Sequence, residues 1–243
     1  MFALYLKEVR SFLSSVIGYV VILVFLIATG LFIWFFPTEF NVLDYGYANL
    51  DGLFIVAPVV FLFLVPAITM RSFSEEKKSG TIELLYTRPI SDMQIIMAKF
   101  LAAVTLIVFS VLPTLVYFYT VYELGLPAGN IDSGSIWGSY IGLIFIGATF
   151  ASIGVFSSSL SDNQVVSFIF AIIISASLYL GFEFIYSFDL LGNIDLFIRS
   201  LGISAHYSSI SRGVVDTRDV IYFLSVITLF LYLTNFSLSK RKW

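Results

Sequence analysis

Residues 71–101 read RSFSEEKKSGTIELLYTRPISDMQIIMAKFL, and how this stretch is read decides the fold. Arg71, Glu75, Glu76, Lys77, Lys78, Glu83, Arg88, Asp92 and Lys99 concentrate charge of both signs in a chain that is 59% hydrophobic and only 12% charged. Between the charges stand Ile82, Leu84, Leu85 and Tyr86, too apolar for a plain solvated linker. Ser79-Gly80-Thr81 interrupts the charge run, which predicts a short helix from Thr81 to about Tyr86. Pro89 forbids its continuation. Ser91 followed by Gln94 has the form of a capping box, so a new helix starts there and runs into the apolar segment beyond Lys99. The predicted shape is a helix leaving a membrane, a short cross-helix, a sharp turn and a helix going back in.

Composition leads to the same class. A mean hydropathy of +0.97 with 12% charged residues lies far from the roughly 25% charge of soluble domains. The chain reads as an all-α membrane protein, one transmembrane domain over residues 1–243. The formal charge of −3 carries little weight, because the distribution of charge matters more than its sum in such a protein. With no cysteine there are no disulfides or thiolate metal sites, and a single histidine disfavours a protein-built zinc or haem centre.

Six spans are predicted at about 16–36, 53–70, 100–122, 136–160, 165–186 and 220–238. Each is near the ~20 residues that cross the hydrocarbon core. Glu183 falls in the last turn of the fifth, at an interface rather than at mid-depth. Before the first span, Phe2, Tyr5, Leu6, Val9, Phe12 and Leu13 recur at helical spacing, with Lys7, Glu8, Ser11 and Ser14 mostly opposite. Residues 1–15 are therefore expected to form an amphipathic helix in the interface plane. A cleaved signal peptide is the alternative, but the following apolar stretch is too long and no small-residue cleavage site ends it.

Placing the N-terminus in the cytosol puts Lys7, Arg10, Arg71, Lys77, Lys78, Arg88, Lys99, Lys240, Arg241 and Lys242 inside. Only Arg199, Arg212 and Arg218, of 13 Lys and Arg in all, fall outside. The positive-inside rule then sets both termini in the cytosol. Residues 71–99 become a cytosolic loop and 187–219 the longest outer segment. Leu190, Leu191, Ile194, Leu196, Phe197, Ile198 and Leu201 make that segment too apolar for a solvated loop, and two short helices on the outer leaflet fit it better. The tail Ser239-Lys240-Arg241-Lys242-Trp243 reads as an interfacial anchor.

Pro58, Pro66 and Pro113 predict kinked spans whose freed carbonyls are satisfied by neighbours. Gly138, Gly142, Gly147 and Ala151, and then Ser167, Ala171 and Ser175, are small residues that let helices approach closely. The contact is either within one subunit or across a dimer.

The loop pattern RSFSEEKKSGTIELLYTRPIS..Q..MAKFLA resembles the cytosolic loop of ABC-2 type permeases, the membrane subunits of one large group of ABC transporters. A second signature is His206-Tyr207, Arg212-Gly213-Val214-Val215-Asp216, Arg218-Asp219-Val220 and Tyr222-Phe223-Leu224-Ser225, so the resemblance covers nearly the whole chain. Within the family the chain is most similar to gliding-motility permease subunits. The resemblance implies a coupling helix docking into a separate ATPase, with Glu75, Glu76, Ser79, Gly80, Thr81, Ile82, Glu83, Leu84, Leu85 and Tyr86 at the interface. It also implies a bacterial inner-membrane setting and a second permease subunit or a homodimer copy. ATP and magnesium would be held by the partner ATPase and none by this chain, and the outer segment would cap the transport route.

The residues themselves agree that the chain is no enzyme. No GxxxxGK[ST] phosphate loop and no HExxH occur. Ser157, Ser158 and Ser159 lie at the opposite end of the predicted topology from His206, so no serine–histidine pair forms. His206 is expected to be structural or interfacial. A secondary carrier or channel would need ionisable groups at mid-depth, and none is predicted there. A structural anchor of a motility or secretion assembly is the third class; it has no need of the charged loop unless that loop relays force.

Overall fold

The computed structural model describes residues 1–83, 87, 89–188 and 192–240, and among these every regular element is helical. Helix α1 (Phe2–Ser14) leads into α2 (Val16–Trp34), a single turn α3 (Val42–Tyr45), α4 (Asp51–Thr69) and α5 (Arg71–Lys78). After the loop come α6 (Asp92–Val111), a 3-10 turn (Leu112–Thr114) and α7 (Leu115–Leu124). Next are α8 (Ser133–Leu160), α9 (Gln164–Ala176), a π-helical turn (Ser177–Gly181) and α10 (Phe182–Tyr186). Two short helices, α11 (Asp195–Arg199) and α12 (Ile203–Ile210), precede α13 (Thr217–Ser239). Six helical segments are long and apolar enough to cross a membrane: Val16–Trp34, Asp51–Lys78, Asp92–Leu124, Ser133–Leu160, Gln164–Tyr186 and Thr217–Ser239.

One of these overruns the predicted limits: the second does not stop at residue 70 but continues through α5 to Lys78. The third begins at Asp92, where the capping box predicts a helix start, ahead of its apolar span. Glu76 and Lys77 at the end of the second, and Lys99 near the start of the third, find partners inside the protein, so these helices extend without exposing those charges to an apolar surround. Ser91 accepts from the Gln94 N–H while the Gln94 side chain accepts from the Ser91 N–H, the predicted capping box.

The bundle is built around α8, which packs against α4, α5, α6, α9, α12 and α13. Its small residues make this possible. A Cβ on Gly142 would lie 2.9 Å from Ile210, one on Gly147 2.7 Å from Ile107, and one on Gly154 1.9 Å from Thr69 Oγ1. Ser167, Ala171 and Ser175 on α9 are fully buried as well. These small-residue faces thus serve contacts within the chain. Gly213 adopts φ +86° and lies so close to α8 that a Cβ would meet Ser135 Cα at 2.5 Å, so only glycine fits there.

At Pro58 a tyrosine takes over the carbonyl that the proline leaves free. Pro58 has no N–H to give to the Phe54 carbonyl, and Tyr207 Oη donates to it instead at 2.7 Å. Burial pushes the Tyr207 phenol well above the usual tyrosine value, which keeps it a donor. At Pro113 the chain tightens into the 3-10 turn, and Tyr140 Oη donates to the Thr114 carbonyl at 3.0 Å. Tyr117 Oη ties α7 to α2 by donating to the Leu26 carbonyl at 3.2 Å, in space left by Gly30. The π-helical turn at Ser177–Gly181 has no signature in the sequence pattern.

Candidate coupling site

The charged stretch that opens the loop is an extension of α4, held by α8 and α6. Where α4 passes into α5 at Met70, Ser158 Oγ accepts from the Phe73 and Ser74 N–H groups at 2.8 and 3.1 Å. The same hydroxyl donates to the Met70 carbonyl at 3.0 Å. One buried hydroxyl therefore satisfies three backbone groups at the joint. Lys77 Nζ donates to the Ser159 carbonyl one residue on. The polar C-terminal turn of α8 is thus a socket for α5.

A second clamp lies on the other side of α5. Lys99 is 3% exposed, with its Nζ 2.8 Å from Glu76 Oε1 and 3.3 Å from Glu8 Oε1. Its ammonium also sits 5.2 Å from the centre of the Phe73 ring. One lysine joins α1, α5 and α6. The adjoining cleft of about 240 Å³ is lined by Lys7, Glu8, Arg71, Glu75, Glu76 and Lys99 among others. Tyr5 Oη and Thr105 Oγ1, 2.9 Å apart, continue the seam between α1 and α6. Glu8 was expected on the polar face of α1; it turns inward because its partner is buried there.

Past this clamp the chain reverses. The Ser79 N–H bonds to the Glu75 carbonyl and the Gly80 N–H to the Lys77 carbonyl, with Gly80 at φ +71°. This is a glycine-ended helix stop. Ser79 Oγ donates to the Glu75 carbonyl and lies 2.8 Å from Thr81 Oγ1. Ile82 and Glu83 are helical, Ile82 half-buried against the core and Glu83 exposed. Leu84, Leu85 and Tyr86, the apolar remainder of the expected cross-helix, lie outside the described residues, as does Arg88. Glu75, Ser79, Gly80, Thr81 and Glu83 are exposed together at the tip. Glu76 differs from them: it does not project to a solvated rim but points inward to Lys99.

At the other end of the bundle, His206 is fixed in place. Its Nδ1 lies 2.7 Å from Asp219 Oδ1 and its Nε2 2.8 Å from the Ser200 carbonyl oxygen. Its ring stacks on Tyr222 with centroids 3.9 Å apart. Ser157, Ser158 and Ser159 belong to the Met70 end of α8, whereas Ser139, near its start, reaches the Ser211 carbonyl just past α12. About 19 residues of helix, roughly 28 Å at 1.5 Å per residue, separate Ser139 from Ser158. The serines and His206 do not meet.

Sequence reasoning missed Ser158, Lys99 and Glu8 as a set. Their partners are 85, 23 and 91 residues away, so no local spacing announces them. The one available signal was Lys99 itself, a lone cation eight residues into a capped apolar helix. Among curated proteins none matches this chain significantly. A family model described as "ABC-2 family transporter protein" matches residues 3–243. With that match over nearly its full length, the chain belongs to the ABC-2 transporter family, whose members are membrane permease subunits working with a separate ABC ATPase.

Proposed function

We propose that the tip of the 71–91 loop is the seat of the ATPase, and that α4 and α5 together act as the lever. The observation that carries this reading is the double clamp on α5. Ser158 on one side and Lys99 with Glu76 on the other make the charged segment a rigid extension of a membrane-crossing helix. A push on the tip then travels into α4 rather than being lost in a loose loop. On this reading Glu75, Ser79, Gly80, Thr81, Ile82, Glu83, Leu84, Leu85 and Tyr86 face the ATPase, and Glu76 holds the lever to α6.

The loop and both termini are assigned to the cytosol of a bacterial inner membrane, on the cation count given by the sequence. ATP and magnesium are used in the partner ATPase, whose closure rocks the spans. A second permease subunit completes the route. Helix α11, with exposed Leu196 and Phe197 and flanked by exposed Ile194 and Leu201, rests on the outer leaflet, while α12 buries Ile203, Tyr207 and Ile210 in the bundle; Leu190 and Leu191 lie outside the described residues, as do Arg241, Lys242 and Trp243 of the tail anchor. Helix α1 lies along the inner interface. The resemblance to gliding-motility permease subunits, of which GldF is one, supports gliding motility as the setting, with a GldG-like permease and a GldA-like ATPase as partners.

The test is Leu84→Ala combined with Leu85→Ala. Each buried leucine side chain contributes about 1.5–3 kcal/mol, so the pair should lower ATPase affinity by at least about tenfold. Membrane insertion should be unchanged, since neither residue lies in a span. Co-purification of the ATPase with the double variant at wild-type yield would dismiss the docking assignment.

A further inference from the structure

At the His206 end, helices α4, α8, α10, α11, α12 and the π-helical turn surround a cavity of about 600 Å³. That is the size of a small-molecule site. Its floor is apolar, made by Phe54, Ile55, Tyr179, Leu180 and Tyr207. The hydrogen bond from Tyr207 to the Phe54 carbonyl fixes that floor. Tyr179 and Leu180 belong to the π-helical turn, a distortion found frequently at functional sites. Ile55 and Leu180, each about half exposed on membrane-crossing segments, open the floor toward the hydrocarbon side.

The rim is polar, and its charges are unequally engaged. Glu183 has both oxygens occupied, Oε1 by Arg199 at 3.7 Å and Oε2 by Ser204 Oγ at 2.6 Å. Asp51 accepts from the Asn49 amide at 3.2 Å and sits in the first turn of α4, where the helix N-terminus offsets its charge. The arginines are less occupied. Arg199 Nε is buried with no hydrogen-bond partner among the described residues, and its guanidinium lies 5.1 Å from the Tyr186 ring centre. Arg212 directs Nε to the Ser208 carbonyl at 3.0 Å, which leaves the two terminal nitrogens of its fork for another acceptor. The rim therefore presents surplus donors of the kind that grip phosphate.

We propose that this cavity is a binding site for an anionic glycerophospholipid. Its phosphate lies between Arg199 and Arg212, and an acyl chain lies against Leu180, Ile55 and Tyr179. The site stands apart from ATPase docking and requires neither nucleotide nor partner. Two complementary features identify a lipid rather than a soluble anion: the donor-rich rim, and a floor continuous with the lipid-facing surface of α4 and the π-helical turn.

The experiment uses the full chain in an uncharged maltoside detergent, with short-chain dihexanoyl phosphatidylglycerol followed by calorimetry and native mass spectrometry. Saturable binding of one lipid is expected, at least about tenfold tighter than dihexanoyl phosphatidylcholine, the size of one charge-assisted hydrogen bond. Inorganic phosphate alone should not compete at equal concentration. Arg212→Gln, whose side chain among the described residues bonds only to the Ser208 carbonyl four residues earlier, should weaken binding about tenfold with the thermal midpoint unchanged. Leu180→Trp, which fills the floor from an exposed position, should abolish binding. Equal affinity for the two lipids, full competition by inorganic phosphate, wild-type binding by Arg212→Gln or Leu180→Trp, or no saturable binding at all would each overturn the assignment.

Discussion

Helices α2 and α8 both cross the bundle, yet they are made of different material. In α2, only 28% of the most apolar window is buried; in α8 the figure is 78%. Helix α2 is the more hydrophobic of the two, rich in Val, Ile, Leu and Phe, with Tyr19, Val20, Leu23 and Ile27 facing outward. Helix α8 carries Gly138, Gly142, Gly147 and Gly154 together with Ser139, Ser152, Ser157, Ser158 and Ser159, all buried. In water the order would be reversed. Lipid tails are as apolar as leucine, so hydrophobicity does not draw a helix inward; close contact and internal hydrogen bonds do. The apolar helix ends at the rim because lipid suits it, and the helix of small and polar residues ends at the centre because there its glycines find close neighbours and Ser139 and Ser158 find partners on other elements.

The comparison breaks most sharply at Gly154. A Cβ there would stand 1.9 Å from Thr69 Oγ1, where α8 packs against the end of α4. Gly154→Val should cost at the top of the ~1–3 kcal/mol range for overpacking, or beyond it. The expected result is a marked loss of monodisperse protein on size-exclusion chromatography in detergent and a lowered thermal midpoint. A variant with wild-type yield and midpoint would mean that α8 is loosely held and that its small residues are not there for contact.

This division also explains what the sequence discloses. Spans are visible because crossing a bilayer demands some twenty apolar residues in a row, a local property. The capping box at Ser91 and Gln94 is equally local, and so is the small-residue spacing of Gly142, Gly147 and Ala151. What stays hidden is decided between distant segments. That α5 prolongs α4 to Lys78 depends on Ser158, more than eighty residues on. The inward turn of Glu76 depends on Lys99, and that of Glu8 on the same lysine. The assignment of Tyr207 to the carbonyl freed by Pro58 spans 153 residues. The sequence indicates that such a carbonyl needs a partner, but not which residue supplies it.

A smaller effect is expected at Ser158. Ser158→Ala removes the acceptor of the Phe73 and Ser74 N–H groups and the donor to the Met70 carbonyl, all at a buried joint. A buried group left unsatisfied costs about 1–3 kcal/mol, reduced here where the backbone relaxes toward ordinary helical bonds. The thermal midpoint should fall by a few degrees with insertion intact. Faster amide hydrogen exchange should be confined to residues 70–78. Exchange unchanged in that segment would show that α5 is not held by α8, and the lever would lose its fulcrum.

The smallest effect is expected at Leu23 on the outward face of α2, which is 55% exposed. In a water-soluble protein, trimming a half-buried leucine to alanine removes packing and leaves a gap. Here acyl chains fill the space, and the side chain loses lipid contacts that a lipid methylene replaces in kind. Insertion is equally safe. Leucine contributes only about 0.3–0.6 kcal/mol at the centre of a span, and α2 has apolar residues to spare on both sides. Leu23→Ala should therefore shift stability by less than about 0.5 kcal/mol, far below the cost of Gly154→Val, when both are measured as thermal midpoints in the same detergent. A loss at Leu23 comparable to that at Gly154 would mean that the outward face of α2 is covered in the assembled transporter. The contrast between a lipid-facing helix and a protein-facing one would then hold for the single chain and fail for the complex.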